Sequence, residues 1–276
     1  MIKAVVFDLD GTLLNTIQDL ADASNYALSK LGLPGHTVED YKQFVGDGRR
    51  NLILRMLPEE GRDEPSVRRA TELFDEYYGA HLHDNTGPYP GIAQLLAGLK
   101  AKGLRLGVVS NKPDEFTKQA VQDYFPGVFD FVAGQQGTLV KPDPAALLRV
   151  ISELGLQPYE VLYVGDSAVD INTAKNGKTQ GCGVLWGFRG EEELAQAGAR
   201  YFAAAPADIE TLVTTLNHTE KVRRGFATFT LVLMLACLIG LFYFLFTGNG
   251  AGIGACVVLQ LLLGFSSVQM LKKKEA

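Results

Sequence analysis

Cysteine is scarce in this chain. Cys182, Cys237 and Cys256 are the only three among 276 residues, odd in number and far apart. That excludes a disulfide framework and a thiolate metal site, and it fits a reducing compartment. His36, His81, His83 and His218 show no ligand spacing either. No apolar leader precedes the first strand, because Met1-Ile2-Lys3 runs straight into it, so a cleavable signal peptide is not expected. Internal repeats and low-complexity segments are missing. Basic residues are outnumbered, with a net charge of -5. Six basic and two acidic residues from Thr219 onward leave +4 there and -9 in the first 218 residues. So acidic a body excludes non-specific nucleic-acid binding. The length suits two or three units, and 47% apolar residues supply their cores.

The largest absence is of charge near the C-terminus. Not one Asp, Glu, Lys or Arg occurs from Phe226 to Leu271. Phe226 to Phe246 is long enough to span hydrocarbon, since about 20 helical residues cover about 30 Å. Thr247-Gly248-Asn249-Gly250 reads as a turn, and Ile253 to Leu271 as a second span interrupted by Gln260 and Ser266-Ser267. Lys221, Arg223 and Arg224 flank the first span, Lys272 to Lys274 the second, and the turn is uncharged. Both ends are therefore expected on the cytoplasmic side. Gly240, Gly250, Gly252, Gly254 and Ala255 would let the helices approach closely. With no ionisable group inside, the hairpin reads as an anchor or oligomerisation element rather than a transport path.

In the remainder, short apolar runs alternate with helical patterns. Ala4-Val5-Val6-Phe7, Leu106 to Val109, Phe129 to Val132, Val161 to Val164 and Gly183 to Trp186 read as strands. Ile92 to Lys102, Asp114 to Tyr124 and Pro144 to Leu154 read as helices. Such alternation predicts an α/β fold, a parallel sheet covered by helices. Between Thr16 and Tyr89 no convincing strand occurs. Helical stretches there run from Ile17 to Leu31, Val38 to Phe44, Asn51 to Leu57 and Val67 to His83. They read as a helical insert placed directly after the first strand's loop.

Polar residues gather where strands end: Asp8 with Asp10, Ser110 with Asn111, Lys141 before Pro142, and Asp166 with Asp170. Ligands in open α/β sheets bind at those ends. Carboxylates from two strand ends suit Mg2+, a hard cation. A hydroxyl and a lysine suit phosphate oxygens. A carboxylate can also attack phosphorus and form an aspartyl-phosphate. Gly11 lets the chain turn and a ligand come close.

Four ordered motifs carry a resemblance: Asp8-Leu9-Asp10-Gly11-Thr12, Ser110-Asn111-Lys112, Lys141-Pro142-Asp143-Pro144 and Gly165-Asp166-Ser167-Ala168-Val169-Asp170. Over about residues 1 to 215 the sequence resembles the haloacid dehalogenase superfamily of phosphatases, close to the phosphoglycolate phosphatase group. The resemblance implies a Rossmann-like parallel sheet with an inserted helical cap, joined here to two C-terminal transmembrane helices. It implies a core from 1-15 and 87-216 and a cap from 16-86, while the charge pattern adds a basic linker over 217-225 and a hairpin over 226-271.

It also implies roles. Asp8 would be the nucleophile and Asp10 the acid/base. Asp8, the backbone carbonyl of Asp10, and Asp166 would hold Mg2+. Leu9, Thr12, Ser110, Asn111 and Lys141 would bind phosphate, Leu9 and Asn111 through backbone amides. Asp170 would orient Lys141 or metal-bound water. Val45-Gly46-Asp47-Gly48-Arg49-Arg50 resembles a cap loop that closes over substrate, with Arg49 facing a substrate carboxylate. The presence of Asp10 favours phosphate chemistry over dehalogenation. The expected protein is a membrane-anchored, Mg2+-dependent phosphatase of a small phosphorylated metabolite, with phosphoglycolate the leading substrate. Nucleotides, pyrophosphate, sugar phosphates, a mutase reaction and a non-catalytic membrane-tethered scaffold are the alternatives. Membrane lipid is the expected partner of the hairpin. Homo-oligomerisation stays open, and nucleic acid is not a partner.

Overall fold

The computed structural model describes residues 1–248 and Cys256. Apart from Cys256, the expected second span lies outside the described residues, as does the Lys272 to Lys274 cluster. The chain divides into two units after Thr214.

In the first unit, six parallel strands form one sheet. They are β1 (Ala4–Phe7), β4 (Arg105–Pro113), β5 (Phe131–Gln135), β6 (Val161–Gly165), β7 (Gln180–Val184) and β8 (Tyr201–Ala203), in the order β5-β4-β1-β6-β7-β8. Sequence order reverses beside β1, so a crevice opens at the carboxyl ends of β1, β4 and β6. All four residues of β1 are fully buried, as the β-branched run requires of a strand covered on both faces. On one face, Ala4 and Val6 join Val109, Tyr163 and the buried stripe Leu147, Val150 and Ile151 of α7 (Ala145–Glu153).

Four strands of the sheet depart from the sequence expectation. β5 begins two residues late and runs on to Gln135. β4 runs on through Ser110 and Asn111, with a register shift between Val109 and Pro113. β7 begins three residues early, in a glycine-rich run without the usual β-branched signal. A Cβ on Gly183 would come within 2.9 Å of the Leu194 side chain, so the glycine lets Leu194 pack closely against the strand. β8 is a short edge strand that was not anticipated. Helix bounds agree better: α5 is Ile92–Ala101, and α6 is Asp114–Tyr124 as expected. Two further helices, α8 (Ala168–Asn176) and α9 (Glu191–Gln196), add to the helices expected from the sequence.

Four helices fill the insert: α1 (Ile17–Lys30), α2 (Val38–Phe44), α3 (Arg49–Met56) and α4 (Glu64–Ala80). α4 starts three residues before its expected bound because Asp63 caps it, accepting from the Ser66 N–H at 3.1 Å, and Pro65 sits in the first turn. Leu28, Tyr41, Ile53, Met56, Phe74 and Tyr78 give the insert its own core. The chain leaves and re-enters the sheet through a two-stranded ribbon, β2 (Leu14–Asn15) with β3 (Gly87–Pro88), which runs antiparallel. This insert is called the cap below.

Helix α10 runs from Pro206 to Thr247. Residues 217-225, expected as a linker, are helical. Their charges support the helix, and the Arg224 Nε–Glu220 Oε1 pair lies at 3.1 Å with the i,i+4 spacing. α10 is long and apolar enough to cross a membrane. Phe229, Leu231, Ile239, Phe242 and Phe246 of that helix are exposed.

Cys182 is fully buried on β7, and burial pushes its thiol up to about 12. In a chain ending at His218 it is the sole cysteine. Its labelling by a thiol reagent is therefore expected to follow global unfolding, with denaturant dependence matching the loss of helix signal. Fast labelling of the native fragment would contradict this.

Candidate active site

Asp8 follows β1 directly, and its N–H donates to the Val164 carbonyl at 2.8 Å. The chain then turns sharply. The Leu9 carbonyl accepts from Leu13 at 2.9 Å, and the Gly11 N–H donates to the Leu14 carbonyl at 2.9 Å. Gly11 has φ +83°, and a Cβ there would overlap the Asp166 carboxylate. Asp166 follows β6 and its Oδ2 accepts from the Phe188 N–H at 2.7 Å. A Cβ on Gly187 would also strike Asp166. These two glycines let the loops after β1 and β7 close around that carboxylate.

Lys141 lies at the centre. Its Nζ is 2.7 Å from Asp8 Oδ1 and 2.8 Å from Asp170 Oδ1. The Lys141 side chain is 2% exposed and that of Asp170 0%. Asp170 Oδ2 accepts from the Ser167 hydroxyl at 2.6 Å, which also starts α8. Asn111 fixes the Lys141 backbone, accepting from its N–H at 2.7 Å and donating to its carbonyl at 3.1 Å. A second donation, to the Gly46 carbonyl at 3.1 Å, reaches the cap.

Burial alone would lower the lysine's pKa, but Asp170 and Asp8 outweigh it and hold the ammonium well above the ordinary range. Burial also drives Asp8 well above the usual carboxylate range. Lys141 offsets part of that, while Asp170 and Asp166 add to it. Burial and then Asp170 push Asp166 up to about 7.

Carboxylate oxygens of Asp8, Asp166 and Asp170 lie within 4.8 Å of one another. With the Lys141 ammonium in contact with two of them, the ionised cluster of three carboxylates and one lysine carries -2 in a buried crevice. That charge and all-oxygen donor set fit a divalent hard cation, which would reverse the mutual elevation of these pKa values. The side-chain cluster holds the expected ligands Asp8 and Asp166 and adds Asp170; the third expected ligand, the Asp10 carbonyl, is a backbone atom outside this side-chain set. The Asp10 carboxylate turns instead to Lys112, with Oδ1 3.1 Å from its Nζ.

Above this crevice lies a cavity of about 50 Å³ between cap and sheet. Asp8, Asp10, Ser110 and Lys112 line its floor, and Gly48, Arg49 and Tyr78 its cap side. Arg49 pairs with Asp75 of α4. Ser110 is buried, and its Oγ accepts from the Lys112 N–H at 3.2 Å. Leu9 and Thr12 are fully buried and outside the cavity lining. The turn at Gly11 sends Thr12 back into the core, where its carbonyl accepts from Trp186 Nε1 at 3.0 Å.

Three residues that the sequence reading left without a role join cap and sheet. Lys112 bonds the Tyr78 hydroxyl of α4. Arg189, on the loop after β7, donates to the carbonyls of Lys42, Gln43 and Val45 around the end of α2. A cation at a helix C-terminus satisfies orphan carbonyls and complements the dipole. Lys112 stands in the Ser110-Asn111-Lys112 motif, but nothing local marks Tyr78.

A sequence profile of the haloacid dehalogenase-like hydrolases matches residues 5–184. A phosphoglycolate phosphatase of Vibrio vulnificus (strain CMCP6) is 34% identical over 222 residues, 77% of this chain and 96% of that protein. That of Nitrosospira multiformis is 38% identical over 182 residues, 63% of this chain and 79% of its own. A crystal structure from Lactobacillus delbrueckii subsp. bulgaricus, inferred to be a phosphoglycolate phosphatase, superposes with a TM-score of 0.73 at 35% identity. It covers 76% of this chain and 98% of its own.

Proposed function

Since the chain belongs to the haloacid dehalogenase-like hydrolases, as a phosphoric monoester hydrolase similar to phosphoglycolate phosphatases, we propose that it hydrolyses phosphoglycolate through an aspartyl-phosphate on Asp8. The observation that carries this is Lys141 bridging Asp8 and Asp170 beside Asp166, at the point where strand order reverses. Lys141 aims one Asp8 oxygen, leaving the other to attack phosphorus. Ser110 and the Lys141 ammonium receive phosphoryl oxygens. Asp10 donates its proton to the leaving alcohol and then takes one from the water that hydrolyses the acyl phosphate. Asp8 and Asp166, with the Asp10 carbonyl, would hold Mg2+, which supplies charge neutralisation for the dianionic group. Asp170 keeps Lys141 in place.

The cavity between cap and sheet is where the alcohol part of the ester would lie. Arg49 is its cap-side cation for a carboxylate, shared with Asp75. Turnover of a panel of phosphorylated metabolites is expected to rank phosphoglycolate first by kcat/KM. A nucleotide or sugar phosphate at the top would overturn the substrate assignment and leave the reaction class standing.

We also propose that the C-terminal segment anchors the enzyme at the cytoplasmic face of a membrane as a two-span hairpin. Supporting this are the uncharged stretch from Phe226 to Leu271, the basic residues at its outer ends, and the exposed apolar side chains of α10. The match to the Vibrio relative takes in 96% of that protein but 77% of this chain, so this chain carries additional length. Truncation after His218 is expected to release soluble protein with unchanged kcat. Full-length protein should stay in the membrane fraction through an alkaline wash. Extraction by alkali would exclude spanning.

A further inference from the structure

The Lys112 ammonium has no part in the phosphate chemistry set out so far, yet its side chain is 3% exposed. It makes two polar contacts that join distant parts of the chain. Its Nζ is 3.1 Å from Asp10 Oδ1 on the sheet side and bonds the Tyr78 hydroxyl on the cap side. The same Nζ lies 4.5 Å from the centroid of the Tyr78 ring. Tyr78 is itself held rigidly. Its ring stacks on Phe74 of α4 at 5.2 Å and meets the edge of Phe116 of α6 at 5.5 Å. Tyr78 is 1% exposed, so its hydroxyl is committed to this contact. Lys112, Tyr78 and Asp10 all line the cavity where the leaving group would lie.

We infer that Lys112 is a positioning residue for Asp10, held in place by Tyr78, so that the acid/base carboxyl is aimed only when the cap is seated on the sheet. This rests on the acid/base reading of Asp10 above. In the first step the Asp8 oxygen–phosphorus bond forms as the ester P–O bond breaks. The bonding pair leaves on the alcohol oxygen, which takes the Asp10 proton. A flexible carboxyl at that position would deliver the proton less often. Lys112 removes the rotational freedom of the side chain, and Tyr78 removes that of Lys112. Tying the second contact to α4 makes the aim conditional on the cap. A substrate not enclosed by the cap then meets an unaimed acid.

The test uses the full chain in detergent with two generic substrates, 4-nitrophenyl phosphate and phenyl phosphate. 4-Nitrophenolate departs without a proton. Phenolate, with a pKa of about 10, needs one. Lys112→Met is expected to lower kcat/KM for phenyl phosphate at least about tenfold more than for 4-nitrophenyl phosphate. Tyr78→Phe, which keeps the ring and its packing, should shift the ratio in the same direction by a smaller factor. Lys112→Arg should restore part of it. In an Asp10→Asn background, Lys112→Met should leave the ratio unchanged, because the group it positions is gone. Equal losses on both esters, or a shift that persists without Asp10, would overturn the inference in favour of direct phosphate binding or plain packing. Rejection of phosphoglycolate with both aryl esters turned over would remove the substrate assignment alone. Aryl ester hydrolysis that survives Asp8→Asn would remove the aspartyl-phosphate reading.

Discussion

Asp8→Asn is expected to abolish Mg2+-dependent phosphate release, by roughly 10⁴-fold or more, the scale on which loss of a single nucleophile acts. The amide is nearly isosteric, so the fold should survive. Asn keeps one carbonyl oxygen but is a far poorer nucleophile, and it discharges one of the three crowded carboxylates. Burial and the neighbours Asp170 and Asp166 disfavour the Asp8 charge, so removing it is not expected to lower stability. The measurement is phosphate release over time, beside a thermal melt of the same sample. Parent-like turnover in a folded variant would exclude Asp8 as the attacking group.

Lys141→Met should be damaging in a different way. The methionine fills the same volume but leaves Asp8 and Asp170 buried without their shared cation. Breaking a buried pair from one side costs about 3–5 kcal/mol. The deficit is expected to grow as pH rises from acid towards neutrality. A carboxylate whose folded pKa is raised above its unfolded value contributes stability at low pH and loses it as pH rises through the folded value. Asp8 is already raised, and without Lys141 it rises further. Adding Asp170→Asn should recover part of the loss, since one of the stranded charges is then gone. Urea unfolding in the presence of a chelator measures all three. A Lys141→Met midpoint equal to the parent's would show that the bridge does not support the fold. Activity should fall with stability, because Lys141 also aims Asp8 and meets the phosphoryl oxygens.

Much of this site was legible because its pieces are local. Ala4 to Phe7 is β-branched and apolar, so it had to be a buried strand, and Asp8 had to stand at its end. Pro113 and the acidic Asp114 and Glu115 announced the start of α6. Glycine hid β7, since Gly181 and Gly183 lack the side chains that signal a strand and are there because α8 and α9 pack so closely. The ribbon of β2 and β3 has two residues on each side, too few for any period to show. Charged residues between Asn217 and Gly225 resembled a linker, but Glu220 and Arg224 are good helix formers at helical spacing. Thr12, expected among the phosphate ligands because it follows the acidic motif, is fully buried and outside the cavity lining.

The sequence by itself determined which groups stand at the strand ends: two carboxylates after β1, a hydroxyl and an amide on β4, a lysine before α7, and a carboxylate after β6. Alternation, turn residues and burial are encoded within a few positions of each. Which group faces which was decided only by the tertiary structure. Lys141 meets both Asp8 and Asp170, Asp166 joins them, and Asp10 leaves that cluster for Lys112 and, through it, for Tyr78 of the cap. Asp10 and Lys112 are 102 positions apart. Their meeting depends on β4 lying beside β1 and on the cap folding back over both, an order set by long-range packing that no short window of sequence contains.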